Sequence, residues 1–263
     1  MIKNKYNFVE NIIIPMAGHG SRFKDNNFNT IKPLIQVDHE CILEKSMSHL
    51  PNSKNKIIIL KKDLFNKYSN LRSLIFKKKF NELLLKNNTL GQADTCYKSK
   101  DIINLEEDVL IHSCDYILRY SKNEFFELKK KYDVIIFTFK LRSKIIKNYS
   151  DFAYCLIKNN KTVGNIIEKK TISNDPTKDQ MAVGTFWFKK AENFFKSCEQ
   201  AKKQKNFIKK ELYIANNINN LIKNKLKVGY LEVDFWNNLG DVYNFYTYIY
   251  WKSFFSEAGY INT

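Results

Sequence analysis

The segment Pro15-Met16-Ala17-Gly18-His19-Gly20-Ser21-Arg22-Phe23, followed by Lys32-Pro33-Leu34-Ile35, holds the residues best suited to chemistry. Small residues let the backbone turn sharply, so that successive N–H groups can converge on phosphate oxygens, while Arg22 and Lys32 add fixed positive charge. The chemistry this favours is the grip of a phosphate chain. No third glycine follows, as a dinucleotide fingerprint needs, and no Gly-Lys-Ser/Thr follows, as a Walker loop needs. A lone Gly-x-Gly is also an ordinary turn; the flanking strand, the Arg two residues on and the Lys-Pro-Leu ten residues beyond it make the signal specific.

The elements that must hold this loop are legible as alternating patterns. Asn11–Met16 is a β-branched run that reads as a buried strand feeding the loop, and Lys56–Leu60, Glu82–Leu85, Val109–His112 and Asp133–Leu141 read as further strands. Helical patterns cover Cys41–Leu50, Asp63–Phe76, Gln92–Ile103 and Asn123–Lys131. This alternation predicts an α/β fold: a three-layer α/β/α sandwich around a mostly parallel, Rossmann-like mixed sheet, with ligands beyond the carboxyl ends of its strands.

From Phe152 the pattern changes. Ala153–Ile157, Thr162–Ile167 and Met181–Phe188 are strand-like without long helices between them, which predicts a smaller antiparallel wall on the second side of the site. Helices over Lys190–Lys203 and Lys209–Asn224, a strand over Lys227–Val233 and a helix over Gly240–Phe255 complete the chain. In that last helix Tyr243, Tyr246, Tyr250 and Phe254 recur at helical spacing and read as a packed aromatic stripe. Residues 1–263 read as one domain, divided into halves 1–141 and 142–263.

The chain has 263 residues, 44% of them hydrophobic, which is enough for a full core and excludes a disordered or fibrous chain. Its 44 Lys+Arg against 27 Asp+Glu leave a net charge of +17. The lysines are dispersed, and the clusters Lys77–Lys79, Lys129–Lys131 and Lys202–Lys203 read as solvated helix faces, so no nucleic acid is expected. The five cysteines and four histidines show no zinc spacing and read as reduced, buried thiols and isolated imidazoles. With no run long enough to span a bilayer and no apolar secretory core, no membrane is expected and the location is expected to be cytoplasmic.

At Gly18–Arg22 with Lys32-Pro33 the chain resembles the nucleotidylyltransferase superfamily that activates sugar 1-phosphates and related phosphate monoesters. The resemblance continues in the family's order from Asn11 to Tyr246. Leu90-Gly91-Gln92-Ala93 resembles the segment beside base and ribose, where Gly91 permits close approach and Gln92 offers a donor and acceptors to a base edge. Ile111–Asp115 resembles the strand ending in the metal-binding aspartate, and Val163–Lys170 the strand whose Glu-Lys, here Glu168 and Lys169, meets the acceptor. Met181–Phe186 resembles the next strand, in which a glycine, here Gly184, leaves space for bound substrate. Phe235–Asp241 resembles the family's Trp-x-Asp-x-Gly-Thr with two departures, Asn238 for the second metal carboxylate and Asp241 for the Thr. Asp241 either compensates at the metal or caps the last helix.

The resemblance implies a reaction of a nucleoside triphosphate, with CTP preferred, and a phosphorylated acceptor, a sugar 1-phosphate first, giving pyrophosphate. Met16, Ala17, Gly18, His19, Gly20 and Ser21 with Gly91 and Gln92 would bind the nucleotide, and Arg22, Lys32 and Asp115 would carry catalysis. Glu168, Lys169 and Gly184 would bind the acceptor, and Asp115, Asn238 and Asp241 would face Mg²⁺. The wording of the loop and of Glu168–Asn174 is similar to a subgroup found with surface-polysaccharide genes. Two alternatives stay open: a cytidylyltransferase for a phosphorylated amino alcohol or polyol, and a nucleotide-sensing paralogue without turnover, motivated by Asn238. A homo-oligomer is also left open.

Overall fold

The computed structural model describes residues 8–18, 20, 23, 25, 26, 28–141 and 148–259. Its first strand is β1 (Phe8–Met16), whose Ile12 and Ile14 enter one apolar cluster and Ile13 another, because successive side chains of a strand point to opposite faces. That is why the strand reads as a continuous apolar run. A 3-10 turn over Lys32–Leu34, a short ribbon of β2 (Gln36–Val37) and β3 (Glu40–Cys41), and α1 (Ile42–Met47) follow. Next come β4 (Asn52–Lys61), α2 (Lys62–Lys67), α3 (Ser69–Lys77), β5 (Asn81–Leu85) and α4 (Gln92–Tyr97). The expected helices Asp63–Phe76 and Gln92–Ile103 are thus interrupted, the first at Tyr68, whose extended backbone both ends α2 and starts α3.

β6 (Val109–His112), β7 (Tyr116–Arg119), α5 (Lys122–Lys131) and β8 (Val134–Phe139) complete the first half. The second contains β9 (Ala153–Asn159), β10 (Thr162–Glu168), β11 (Gln180–Phe188), α6 (Ala191–Lys203), α7 (Ile214–Lys223), β12 (Val228–Glu232), β13 (Phe235–Asn238) and α8 (Val242–Glu257). A nine-stranded sheet forms in the order β5-β4-β1-β6-β11-β8-β12-β10-β9. Only β10 and β11 run against the other strands. One apolar cluster unites Leu71, Ile75, Phe125 and Leu128 on one face of the sheet, and another unites Cys96, Phe194, Ile218 and Leu221 on the other.

Three expectations are corrected. The antiparallel wall is not separate: β11 lies in mid-sheet between β6 and β8, and β10 and β9 form an edge of the same sheet. The aromatic stripe is not packed, since Tyr243, Tyr246 and Tyr250 are 57%, 57% and 63% exposed, and the buried residue of α8 is Phe245. All three lysine clusters contain paired members, Lys78 Nζ lying 3.4 Å from Glu44 Oε1. Lys129 Nζ lies 2.6 Å from Asp108, whose carboxylate also accepts from Trp187 Nε1 at 2.8 Å and from the Glu10 amide at 2.6 Å, tying α5, β11 and β1 together below the sheet. Lys202 Nζ lies 2.6 Å from the buried Asp94. All five cysteines are free and buried. No helix among the described residues is long and apolar enough to cross a membrane.

Candidate active site

Four parallel strands end at one edge of the sheet, and the loops after β1 and β6 meet there. A cleft of about 540 Å³ opens between Met16–Gly18, Gly20, Lys32–Pro33, Asn88–Thr89, Gly91–Gln92, Ser113–Tyr116, Gly184, Glu211 and Gly240. Gly18 lines it, as does Gly20 at φ +61°, and among the described residues a Cβ on either would meet nothing within 4 Å, which leaves the loop's floor open to a ligand's close approach. Met16 and Ala17 lie on the same wall. His19, Ser21 and Arg22 lie outside the described residues.

Lys32 faces that floor from the 3-10 turn, and its Nζ sits 2.7 Å from Asp115 Oδ2. Asp115 is 8% exposed. Burial alone would raise its pKa, but the Lys32 ammonium and the Ser113 hydroxyl, 2.5 Å from Oδ1, outweigh it and hold the carboxyl below its ordinary range. The neighbouring His112 is neutral: burial lowers its pKa to about 4, and its ring bonds Thr185 and the carbonyls of Ser46 and Tyr116. It is a structural pin under the Asp115 loop.

The β7–β13 ribbon brings the distant Phe235–Asp241 segment here, pairing Asn238 with Tyr116. A Cβ on Gly240 would lie 2.6 Å from Asp115 Oδ2 and 2.7 Å from Asn238 Oδ1, so the two oxygens flank the same point. Asn238 Oδ1 accepts from the Gly240 amide at 2.6 Å. Asp241 instead caps α8, accepting from the Asn244 amide at 2.9 Å. Of the three residues expected to face a metal, Asp115 and Asn238 meet at Gly240, and Asp241 caps the helix through Oδ1 while its Oδ2 lies 3.5 Å from Asn238 Nδ2. Among the described residues no cluster of three His, Cys, Asp or Glu side chains forms a cation cage. One carboxylate that lines the cleft, with one amide oxygen beside it, still fits Mg²⁺, which is commonly held by one or two carboxylates together with substrate phosphates.

Gly91 opens α4 at φ +94°, and a Cβ there would meet Leu212 O and Glu211 Cβ at 3.0 Å. Leu212 clamps this turn, its N–H donating to Leu90 O at 2.7 Å and its O accepting from Ala93 N at 3.1 Å. That clamp explains why α7 begins at Ile214 rather than at Lys209: Lys209 and Lys210 take left-handed turns that deliver Glu211 and Leu212 to the cleft. Gln92 lies at the junction with a second pocket of about 120 Å³, which also takes in Asp151, Phe152, Glu168, Lys169 and Tyr213. Asn219 on α7 bonds both the amide and the carbonyl of Ile166, at 2.9 and 2.8 Å, and so fixes the end of β10 that carries Glu168.

Burial raises the Glu168 carboxyl to about 7 against the opposing charge of Lys169. Lys169 takes a left-handed backbone, donates to the Asp151 carbonyl and stands 5.3 Å from the Tyr213 ring centroid. Gly184 lines both pockets, but the space beside its Cα is filled by protein: a Cβ would lie 2.8 Å from the Tyr116 ring. The glycine thus admits the Tyr116 ring to the wall shared by the two pockets. Tyr116, Glu211 and Asn88–Thr89 also line the cleft and carry no motif of their own; the adjacency of Tyr116 to Asp115 and of Thr89 to Gly91 is the signal available for them.

No protein-family model and no curated protein matches this sequence. Solved structures do match its fold. The nucleoside-diphosphate-sugar pyrophosphorylase from Vibrio cholerae RC9 is 18% identical with a TM-score of 0.74, over 91% of this chain and 99% of that one. The inositol-1-phosphate CTP transferase from T. maritima is 12% identical with a TM-score of 0.68, over 95% and 97%. A UDP-glucose pyrophosphorylase complexed with UDP-glucose is 14% identical with a TM-score of 0.68, over 93% and 99%. At these identities the likeness establishes a shared fold along nearly the whole chain.

Proposed function

We propose that this chain, folded as those nucleotidyltransferases and pyrophosphorylases are, transfers a nucleoside monophosphate from a nucleoside triphosphate to a phosphorylated acceptor, releasing pyrophosphate. The observation that carries the reading is the Lys32–Asp115 pair at 2.7 Å beneath an open glycine loop, in a cleft that shares Gln92, Tyr116 and Gly184 with the Glu168–Lys169 pocket. Two joined pockets, one fit for a triphosphate and one for a second phosphate ester, suit a two-substrate transfer.

A phosphate monoester carries negative charge near neutral pH, so its oxygen needs no general base to attack the α-phosphorus. The new bond joins that oxygen to the α-phosphorus, while the bond to the bridging oxygen breaks in line and pyrophosphate leaves with its electron pair. On the sequence reading the loop amides and Arg22 hold the β and γ phosphates, and Lys32 meets the charge that develops around the α-phosphate and the leaving group. Gln92 meets the base, while Glu168 and Lys169 orient the acceptor. Asp115, with Asn238 beside it, would hold Mg²⁺, which when bound supplies further charge neutralisation at the phosphates. A three-layer arrangement, cytoplasmic location, sugar 1-phosphate acceptor, CTP preference and role in surface-polysaccharide precursors belong to the same proposal.

A specific feature favours a second reading of the acceptor. Phe152, Tyr116, Phe186 and Tyr213 line the smaller pocket, and among the described residues no hydrogen bond reaches the Glu168 carboxyl. Aromatic rings beside an unbonded carboxyl suit an ammonium group, so the acceptor of this reading is a phosphorylated amino alcohol. Pyrophosphate release measured across the four nucleoside triphosphates and a panel of sugar 1-phosphates, polyol phosphates and phosphorylated amino alcohols tests both readings. Turnover with one pair supports the proposal and selects the acceptor. Tight nucleotide binding without pyrophosphate for any pair would replace it with the nucleotide-sensing alternative.

Asn238 gives a second expected result. Asn238→Asp adds a carboxylate where a neutral amide now stands, and the half-saturating Mg²⁺ concentration should fall about 10-fold, the equivalent of roughly 1.4 kcal/mol. Thermal shift in a Mg²⁺ titration and the Mg²⁺ dependence of turnover both report it. An unchanged Mg²⁺ response would remove Asn238 from the metal's surroundings.

A further inference from the structure

Helix α8 is apolar around most of its circumference, yet only one face is packed. Phe245 is buried edge-on to Phe23 and Phe28, with ring centroids 6.1 and 5.8 Å apart, while Val242, Tyr248 and Ile249 pack against the same cluster. The opposite face presents Tyr243, Tyr246 and Tyr250, each more than half exposed, with Trp251 at 47% and Phe254 at 48%. Trp251 lies 5.4 Å from Tyr250 and 5.8 Å from Phe254 between ring centroids, so the rings are contiguous.

We propose that this face pairs two copies of the chain, α8 against α8 about a two-fold axis. The area fits. Aromatic side chains bury roughly 150–250 Å² each, so five at about half exposure offer roughly 500 Å² per copy. Two copies bury about 1,000 Å² together, the lower threshold of a biological interface and the size of a weak, reversible dimer. The chemistry selects a protein partner over a lipid surface or a polyanion. An interfacial membrane helix needs a strongly basic polar face. From Val242 to Glu257 the formally charged side chains are Lys252, already paired with Asp38, and Glu257. The spacing of Tyr243, Tyr246, Tyr250 and Phe254 forms a ridge that an antiparallel copy of itself can interleave, as a two-fold contact requires. Pairing would also brace the phosphate loop, because Phe23 on the inner side of α8 lines the cleft.

Charge gives the dimer a signature. Two chains of net charge +17 repel each other, and the contact itself is apolar, so added salt should strengthen association. Binding to a polyanion would weaken instead. Light scattering at about 100 μM protein, above the micromolar Kd expected at the low end of interface size, reads the outcome. The wild type should show twice the 31.2 kDa chain mass, more completely at high salt than at low salt. Tyr250→Glu with Phe254→Glu should return it to a single chain while far-UV circular dichroism stays unchanged. Tyr250→Ser with Phe254→Ser, which adds no charge, is the second variant should the first fail to fold. A wild type of single-chain mass at both salts overturns the proposal, as does a two-chain mass that survives in either folded variant. A single-chain wild type that pellets with phosphatidylcholine–phosphatidylglycerol vesicles overturns it in favour of a lipid surface.

Discussion

Lys32→Ala should lower kcat for pyrophosphate release about 100-fold or more, the cost of losing one preorganised charge aimed at developing negative charge. Lys32 is held by the turn Lys32–Leu34 with Pro33 buried behind it, and its ammonium is the partner of Asp115 at the mouth of the cleft. The substitution therefore acts twice. It removes a cation from the phosphates, and it leaves Asp115 with burial as the dominant influence on its carboxyl, which pushes the pKa upward.

The second effect has a stability signature that separates the two. Asp115 has a folded pKa below its ordinary 3.8, so its pairing stabilises the fold above that value and is lost as pH falls through the folded pKa. The gap in melting temperature between wild type and Lys32→Ala should therefore be present at neutral pH and close in acid. Breaking a fully buried pair costs about 3–5 kcal/mol. These side chains keep 20% and 11% of their exposure beside an open cleft, which places the loss below that range. Turnover close to wild type at saturating nucleotide would end the catalytic role for Lys32 and leave a structural pair. On the sequence reading, Arg22→Ala should match Lys32→Ala in kcat.

The strands around the loop are readable in the sequence because a strand buried on both faces is apolar at every position, and Ile12-Ile13-Ile14 and Ile57-Ile58-Ile59 leave no alternative period. The same continuity hides strand order. Nothing in Met181–Phe188 reveals that it inserts between β6 and β8, since a run apolar on both faces suits either an edge wall or mid-sheet. Helical spacing likewise marked a stripe on α8 without telling which face meets the fold, and Phe245, between the stripe's residues, is the one that does. Lys129 and Lys202 looked like solvent-facing charge because their partners Asp108 and Asp94 are remote in sequence. At the site, Gly18, Gly91 and Asp115 follow from motif and strand end together. Tyr116, Glu211 and the role of Gly240 depend on the β7–β13 ribbon and the Leu212 clamp, contacts between distant segments that no local pattern encodes.

Gly240 shows how sharply such a contact can be tested. Its backbone is not left-handed, so alanine is conformationally acceptable there, and the cost of a methyl falls on what surrounds it. An added Cβ would stand 2.6 Å from Asp115 Oδ2 and 2.7 Å from Asn238 Oδ1, well inside contact distance, so one or both must move. Asp115 has little freedom to yield without loss, because its Oδ2 is bonded to Lys32 and its Oδ1 to Ser113. Gly240→Ala should therefore displace the carboxylate from Lys32 and lower kcat on the order of 100-fold, the scale of a misplacement near 1 Å in a positioned site. Gly18→Ala is the matched control for stability, since among the described residues its Cβ meets nothing within 4 Å and its melting temperature should equal that of the wild type. If Gly240→Ala retains wild-type kcat and Mg²⁺ dependence, then Asp115 and Asn238 can separate without consequence, and the pair does not act on the transferred phosphate.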